Sequence, residues 1–119
     1  MTDHSLSYSE KDGCLIFSLQ GPLNYISCTV LESQKLYFVE KAVEDKVKAI
    51  IIDFSAVGYV DSAGISVLLQ YYAVCKDLNI PLALISMNSI VYKVFRITNL
   101  NRLFLITKTY SEAIESINQ

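Results

Sequence analysis

"AIIIDFSAVGYVDSAGISVLLQYY", residues 49–72, decides how this chain folds. It opens on Ala49-Ile50-Ile51-Ile52, a short run that is apolar at every position and rich in β-branched isoleucine. Such a run reads as a strand of a parallel sheet covered on both faces, and it belongs at the sheet centre. Past Val60 the pattern changes to the small, polar Asp61-Ser62-Ala63-Gly64. Ile65, Leu68, Tyr72 and Cys75 then fall on one helical face that ends near Asp77, before Asn79 and Pro81 break it.

The flanks extend the same alternation. Leu82 to Ser86 reads as the next strand, Asn88 or Ser89 as the cap of a helix holding Val91, Val94, Phe95 and Thr98, Leu105-Ile106 as a last strand, and Ser111 to Ile117 as a terminal helix. Toward the N-terminus, Ser5 to Ser9 and Cys14 to Leu19 flank the turn signal Lys11-Asp12-Gly13 and predict a hairpin at one sheet edge. Gly21-Pro22-Leu23-Asn24 stops the second strand. Ser27 then caps one helix over 27–45, carrying Leu31, Leu36, Val39 and Val43. Strands joined by helices imply parallel pairing with right-handed crossovers. The expectation is one α/β domain over 1–119, with four or five strands in a mixed, mainly parallel sheet and about four helices.

Composition removes several functions. Apolar residues make up 52% of 119 and charged residues 18%, so the chain carries a core instead of remaining disordered. The net charge of −2 and the scattered cations argue against nucleic acid as a partner. The uncharged window from Gly13 to Leu31 is interrupted by Gln20, Gly21, Pro22 and Asn24, unlike a membrane-spanning helix. The first residues carry acids and no apolar core of a signal peptide, which points to the cytoplasm. Cys14, Cys28 and Cys75 are widely spaced and read as reduced, buried thiols, and with the single His4 they do not make a metal-ligand set.

At the Asp61-Ser62 junction three chemistries compete. A hydrolase elbow needs a glycine two residues before the serine, where Val60 stands, and the only histidine, His4, lies in the N-terminal stretch. Neither common phosphate-cradling glycine motif is present, and no cofactor is expected. A structural role is simple: Asp61 or Ser62 accepts hydrogen bonds from the free N–H groups of the following helix, and Gly64 allows close packing. The third is a hydroxyl presented to a kinase. The helix itself leaves a further question open, since Val67, Leu69, Tyr71 and Val74 make the side away from the Ile65–Tyr72 stripe apolar too, to be covered by neighbouring helices or by a partner.

The run from Ile50 through Asp53-Phe54-Ser55, Val57 and Val60-Asp61-Ser62-Ala63-Gly64-Ile65, followed by Phe95 to Phe104 and Ser111-Glu112-Ala113-Ile114, resembles the STAS-domain anti-sigma factor antagonists of bacteria. The resemblance covers nearly the whole chain. It implies a partner switch that catalyses nothing and needs no cofactor. The unphosphorylated form binds an anti-sigma factor that is also a serine kinase, phosphorylation by that kinase ends the complex, and a PP2C-type phosphatase resets it. By position the acceptor is Ser62. The implied partner surface is Asp61, Ser62, Ala63 and Gly64 with Asn24, and Ser66 is a lesser acceptor one turn on; Asp61 shapes the turn while Ala63 and Gly64 leave room for the partner. Many relatives carry Gly-Glu-Leu-Asp where this chain has Gly21-Pro22-Leu23-Asn24, so both loop acids are missing. The Gly-Pro-Leu form is similar to STAS domains of anion transporters. A module of an anion- or lipid-transport complex, or a ligand sensor, is therefore the alternative.

A phosphate on Ser62 would sit where a helix dipole and free N–H groups favour negative charge, by roughly 0.3–1 kcal/mol. The expected penalty thus falls on the interface instead of the fold.

Overall fold

A computed structural model describes residues 7–118. Strands β1 (Ser7–Lys11) and β2 (Cys14–Gln20) form the expected hairpin around Asp12 and Gly13. Both turn residues have positive φ, 54° and 80°, the tight mirror-image turn that Asp-Gly supports because glycine meets no steric penalty there. The expected start of the first strand at Ser5 lies outside the described residues, as does His4.

Strands β3 (Ala49–Ala56), β4 (Leu82–Ile85) and β5 (Leu105–Thr107) complete a five-stranded sheet of order β1-β2-β3-β4-β5. Only the hairpin pairs antiparallel, and β3 is central as its all-apolar start requires. Because the order is sequential, every crossover from β2 to β5 steps in the same direction. Right-handed crossovers then put all the connecting helices on one face.

The packing follows that rule. Leu15, Phe17, Ile50, Ile52, Phe54 and Leu84 point into a large core shared with those helices. The alternate residues Ile51, Ala83 and Ile85 face the other side, where α5 (Tyr110–Ile117) supplies Ala113, Ile114 and Ile117. Tyr110 fastens this helix to the hairpin: its hydroxyl donates to Asp12 Oδ2 at 3.1 Å, and Lys11 Nζ lies 4.7 Å from the centre of its ring.

The helix expected over 27–45 is two helices, α1 (Tyr25–Ser33) and α2 (Lys35–Glu44), so the described residues form five α-helices and a 3-10 turn at Leu100–Arg102. It also begins earlier than the expected cap at Ser27: the Cys28 N–H bonds to the Asn24 carbonyl at 2.9 Å, which puts Asn24 immediately before the first turn. The break at Gln34 has a buried partner. Leu31 is among the last residues of α1, whose carbonyls lack acceptor duty within the helix, and its oxygen accepts the Tyr71 hydroxyl at 2.6 Å.

On α3 (Ser62–Asp77) the buried residues are Gly64, Val67, Leu68, Tyr71 and Cys75. Ile65 and Tyr72 are half-buried at the margin of the core, so the inward stripe is turned relative to the one expected from Ile65, Leu68, Tyr72 and Cys75. Neighbouring elements of this chain therefore cover the side that carries Val67 and Tyr71. The last connecting helix, α4 (Ser89–Ile97), buries Val91 and Phe95, and Phe95 packs edge-on against Phe54 and Phe104 at centroid distances of 6.3 and 5.8 Å.

Candidate functional site

Two loops that leave neighbouring parallel strands meet at the start of α3. The register of β2 on β3 shifts between Ser18 and Gln20, and the irregularity turns the chain into residues 21–24. That loop is laced to the end of β3: Gly21 N–H bonds to the Ala56 carbonyl at 3.1 Å, Leu23 N–H to the Tyr59 carbonyl at 2.9 Å, and Asp61 N–H to the Leu23 carbonyl at 3.1 Å. Asn24 Nδ2 donates to the Tyr59 hydroxyl at 3.2 Å. The structure thus brings Asn24 to the border of the Asp61-Ser62 turn.

Asp61 is the N-cap. Its backbone is extended, at φ −105° and ψ −175°, and its Oδ1 accepts the Gly64 N–H at 3.0 Å. This leaves Ser62 as the first helical residue, exposed, with no hydrogen bond from its hydroxyl to a described residue. Of the two cap candidates, the geometry chooses the aspartate and frees the serine.

Gly64 is buried, and a Cβ built on it would lie 2.6 Å from the Leu23 carbonyl oxygen and 2.9 Å from Leu23 Cγ. The room that glycine leaves is filled by this chain's own loop at Leu23. Ala63 is half-buried against the core. Ser66 is exposed and lines a shallow recess of about 190 Å³ with Cys28, Thr29, Glu32 and Gln70. Gln70 bridges the recess, donating to Glu32 at 3.1 Å and accepting from Lys35 at 2.9 Å.

Three residues were not read as part of the site from the sequence. Tyr59 stands 48% exposed beside Asn24. Asn88 caps α4 through Oδ1 to Val91 N–H at 2.8 Å, as one of the two cap candidates, and also donates Nδ2 to the Val57 carbonyl at 3.2 Å, bracing the loop before the site. Cys28 lies beneath: burial first, and then the negative charges of Asp61 and Glu32, push its thiol up to about 11. It is therefore a protonated, unreactive group near neutral pH. All three cysteines are buried and free. An aromatic two residues before the cap and an asparagine at a strand end are signals visible only once the loops are known to touch.

Chemically, the turn offers an unencumbered hydroxyl at a helix start, while the adjacent carboxylate is engaged in capping. No described residue accepts a hydrogen bond from the hydroxyl, and Ser62 is not among the residues that line the large open groove between α4 and α5, about 790 Å³, which include Asn88, Tyr92, Lys108 and Glu115. No helix among the described residues is long and apolar enough to cross a membrane.

The STAS domain family profile matches residues 5–113. A solved structure from Thermotoga maritima, assigned as an anti-sigma factor antagonist, superposes with a TM-score of 0.83 at 24% identity, over 96% of this chain and 95% of that one. The Bacillus cell fate determinant SpoIIAA in its phosphorylated form gives 0.64 at 19%, over 95% and 99%. A sulfate transporter family protein from Wolinella succinogenes gives 0.75 at 16%, over 91% and 87%. At these identities the likeness is one of fold. With an α/β sheet of this order, two laced loops and a capped helix start, the chain belongs to the STAS domain family.

Proposed function

We propose that this chain is an anti-sigma factor antagonist that works as a partner switch in the cytoplasm. In its unphosphorylated form it binds an anti-sigma factor that is also a serine kinase, and so releases a sigma factor. The kinase transfers the γ-phosphoryl group of ATP to Ser62, the complex separates, and a PP2C-type phosphatase restores the hydroxyl. The protein is the substrate of these steps and catalyses none of them. The observation that carries this reading is the exposed Ser62 hydroxyl, free of bonds to described residues and first in its helix, beside an aspartate that does the capping. A phosphate there adds about two negative charges that a bound partner must desolvate, and each 1.4 kcal/mol of penalty weakens binding about tenfold.

Incubation with host lysate and ATP, followed by mass spectrometry, tests the assignment. Phosphate is expected on Ser62 in the parent and nowhere on α3 in Ser62→Ala. Equal incorporation into the alanine variant would move the acceptor elsewhere, Ser66 being the next candidate.

A second reading is supported by the Gly21-Pro22-Leu23 loop and by the fold it shares with the Wolinella transporter-family protein: a STAS module of a transport complex that works without phosphorylation. Co-purification of a transporter or its ATPase, with Ser62 unmodified, would decide for it.

A further inference from the structure

Residues 78–111 contain Lys93, Arg96, Arg102 and Lys108 and no aspartate or glutamate, so all twelve acids of the chain lie elsewhere. The fold gathers three of these cations on one surface. Val91 and Phe95 turn one side of α4 into the core, and the opposite side carries Lys93 and Arg96 between Ile90 and Ile97, which are 63% and 67% exposed. Arg102 and Leu103 continue it from the 3-10 turn and its end, both exposed. None of the three cations forms an ion pair among the described residues. A single exposed aliphatic is ordinary, but two isoleucines two turns apart, interleaved with unpaired cations, form a patch.

What covers the patch follows from continuity and from area. Asn88, at the head of α4, holds the Val57 and Gly58 carbonyls, so the first turn of α4 is fastened to the loop that leads through Tyr59 to Ser62. A stable, specific interface takes about 800 Å² from each partner. Asn24, Asp61, Ser62 and Ser66 are small and polar, and even with Tyr59, 48% exposed, they fall well short of that. Beyond Ser66, Gln70 is committed to Glu32 and Lys35, and Leu69, Tyr72 and Val74 are half-buried. The apolar area needed lies on the α4 side.

We propose that the partner which reads Ser62 also seats on the outward face of α4, bringing an apolar centre ringed by carboxylates. Ile90 and Ile97 meet the centre, and Lys93, Arg96 and Arg102 meet the acids. This rests on the function proposed above and names the chemistry of its partner. It also gives the phosphate a mechanism: a partner surface selected to be acidic faces a new dianion at Ser62 within the same footprint.

The test uses the full chain and the purified kinase that phosphorylates it, with affinity measured at low and at high salt. Lys93→Glu combined with Arg96→Glu, and separately Ile97→Ser, should each weaken binding at least tenfold. The charge reversal should lose much of its effect at high salt and the serine variant should not. All the changed side chains are exposed, so thermal midpoints should stay at the parent value. Parent-like affinity in both variants, with Ser62→Asp still weakened, would overturn the α4 footprint and leave the Ser62 reading standing. Finding no kinase that modifies Ser62 would overturn both. If the parent instead floats with phosphatidylglycerol vesicles, the variants do not, and kinase binding is the same in all, the face serves lipid and the proposal is wrong.

Discussion

Asp61→Ala strips the Gly64 N–H of its acceptor and should cost about 1 kcal/mol, or about 4 °C in the thermal midpoint, whereas Asp61→Asn keeps a capping oxygen and most of that stability. Ser62→Ala should stay within about 0.5 kcal/mol of the parent, because its exposed hydroxyl caps nothing. Calorimetry on the three variants checks the division of labour; a Ser62→Ala loss as large as that of Asp61→Ala would mean that the serine is structural. From sequence alone, the choice between the two residues was not available, since both types cap helices equally well. Backbone geometry decides it, and the register that fixes this geometry comes from Leu23, a residue nearly forty positions away.

Between elements, the decisive contacts are those joining the end of one to the middle of another. Tyr71→Phe leaves the Leu31 carbonyl buried without its donor and should destabilise by about 1–3 kcal/mol in a denaturant titration. A neutral result would show that the α1–α2 break does not depend on that bond. Asn24→Asp keeps the pairing with Tyr59, since the phenol can donate to a carboxylate, so the fold should be unchanged. It adds a charge beside Asp61, and we expect several-fold weaker binding to the kinase, shrinking as salt rises because exposed charges are screened over about 8–10 Å. Identical affinity at both salts would put this loop outside the footprint. Strands and hairpin were legible because each has a local chemical signature, and each cap was narrowed to two adjacent residues, Asp61 or Ser62 and Asn88 or Ser89. The α1–α2 break was not, as no glycine or proline marks Gln34. Nor was the phase of α3: with apolar residues on both its sides, periodicity could not pick the buried stripe, and the helix is instead turned by the need to bring bare Gly64 onto Leu23.

For the whole molecule, burial of thiols sets a limit at alkaline pH. Burial holds Cys75 up at about 12 and Cys28, with help from Asp61 and Glu32, at about 11, against an ordinary value of 9.0. Unfolded, these thiols ionise first. Their contribution to stability is therefore complete below about pH 9 and is lost as pH rises through the folded values. Thermal midpoints should be flat from neutral pH to about 9 and then fall, and the fall should be shallower in Cys28→Ala with Cys75→Ala; an unchanged fall would assign it to other groups. The sheet's two faces set a second limit, this one in time. One face is covered by four helices that arrive between the strands, while the other waits for α5, the last of these elements to be synthesised. Until Tyr110 reaches the hairpin, Ile51, Ala83 and Ile85 have no cover, so the nascent domain is a half-closed book with one sticky page. Pulse-labelling hydrogen exchange during refolding should find the α5 amides protected last, and deleting 110–118 should yield a chain that holds its strands but self-associates, which full solubility would contradict.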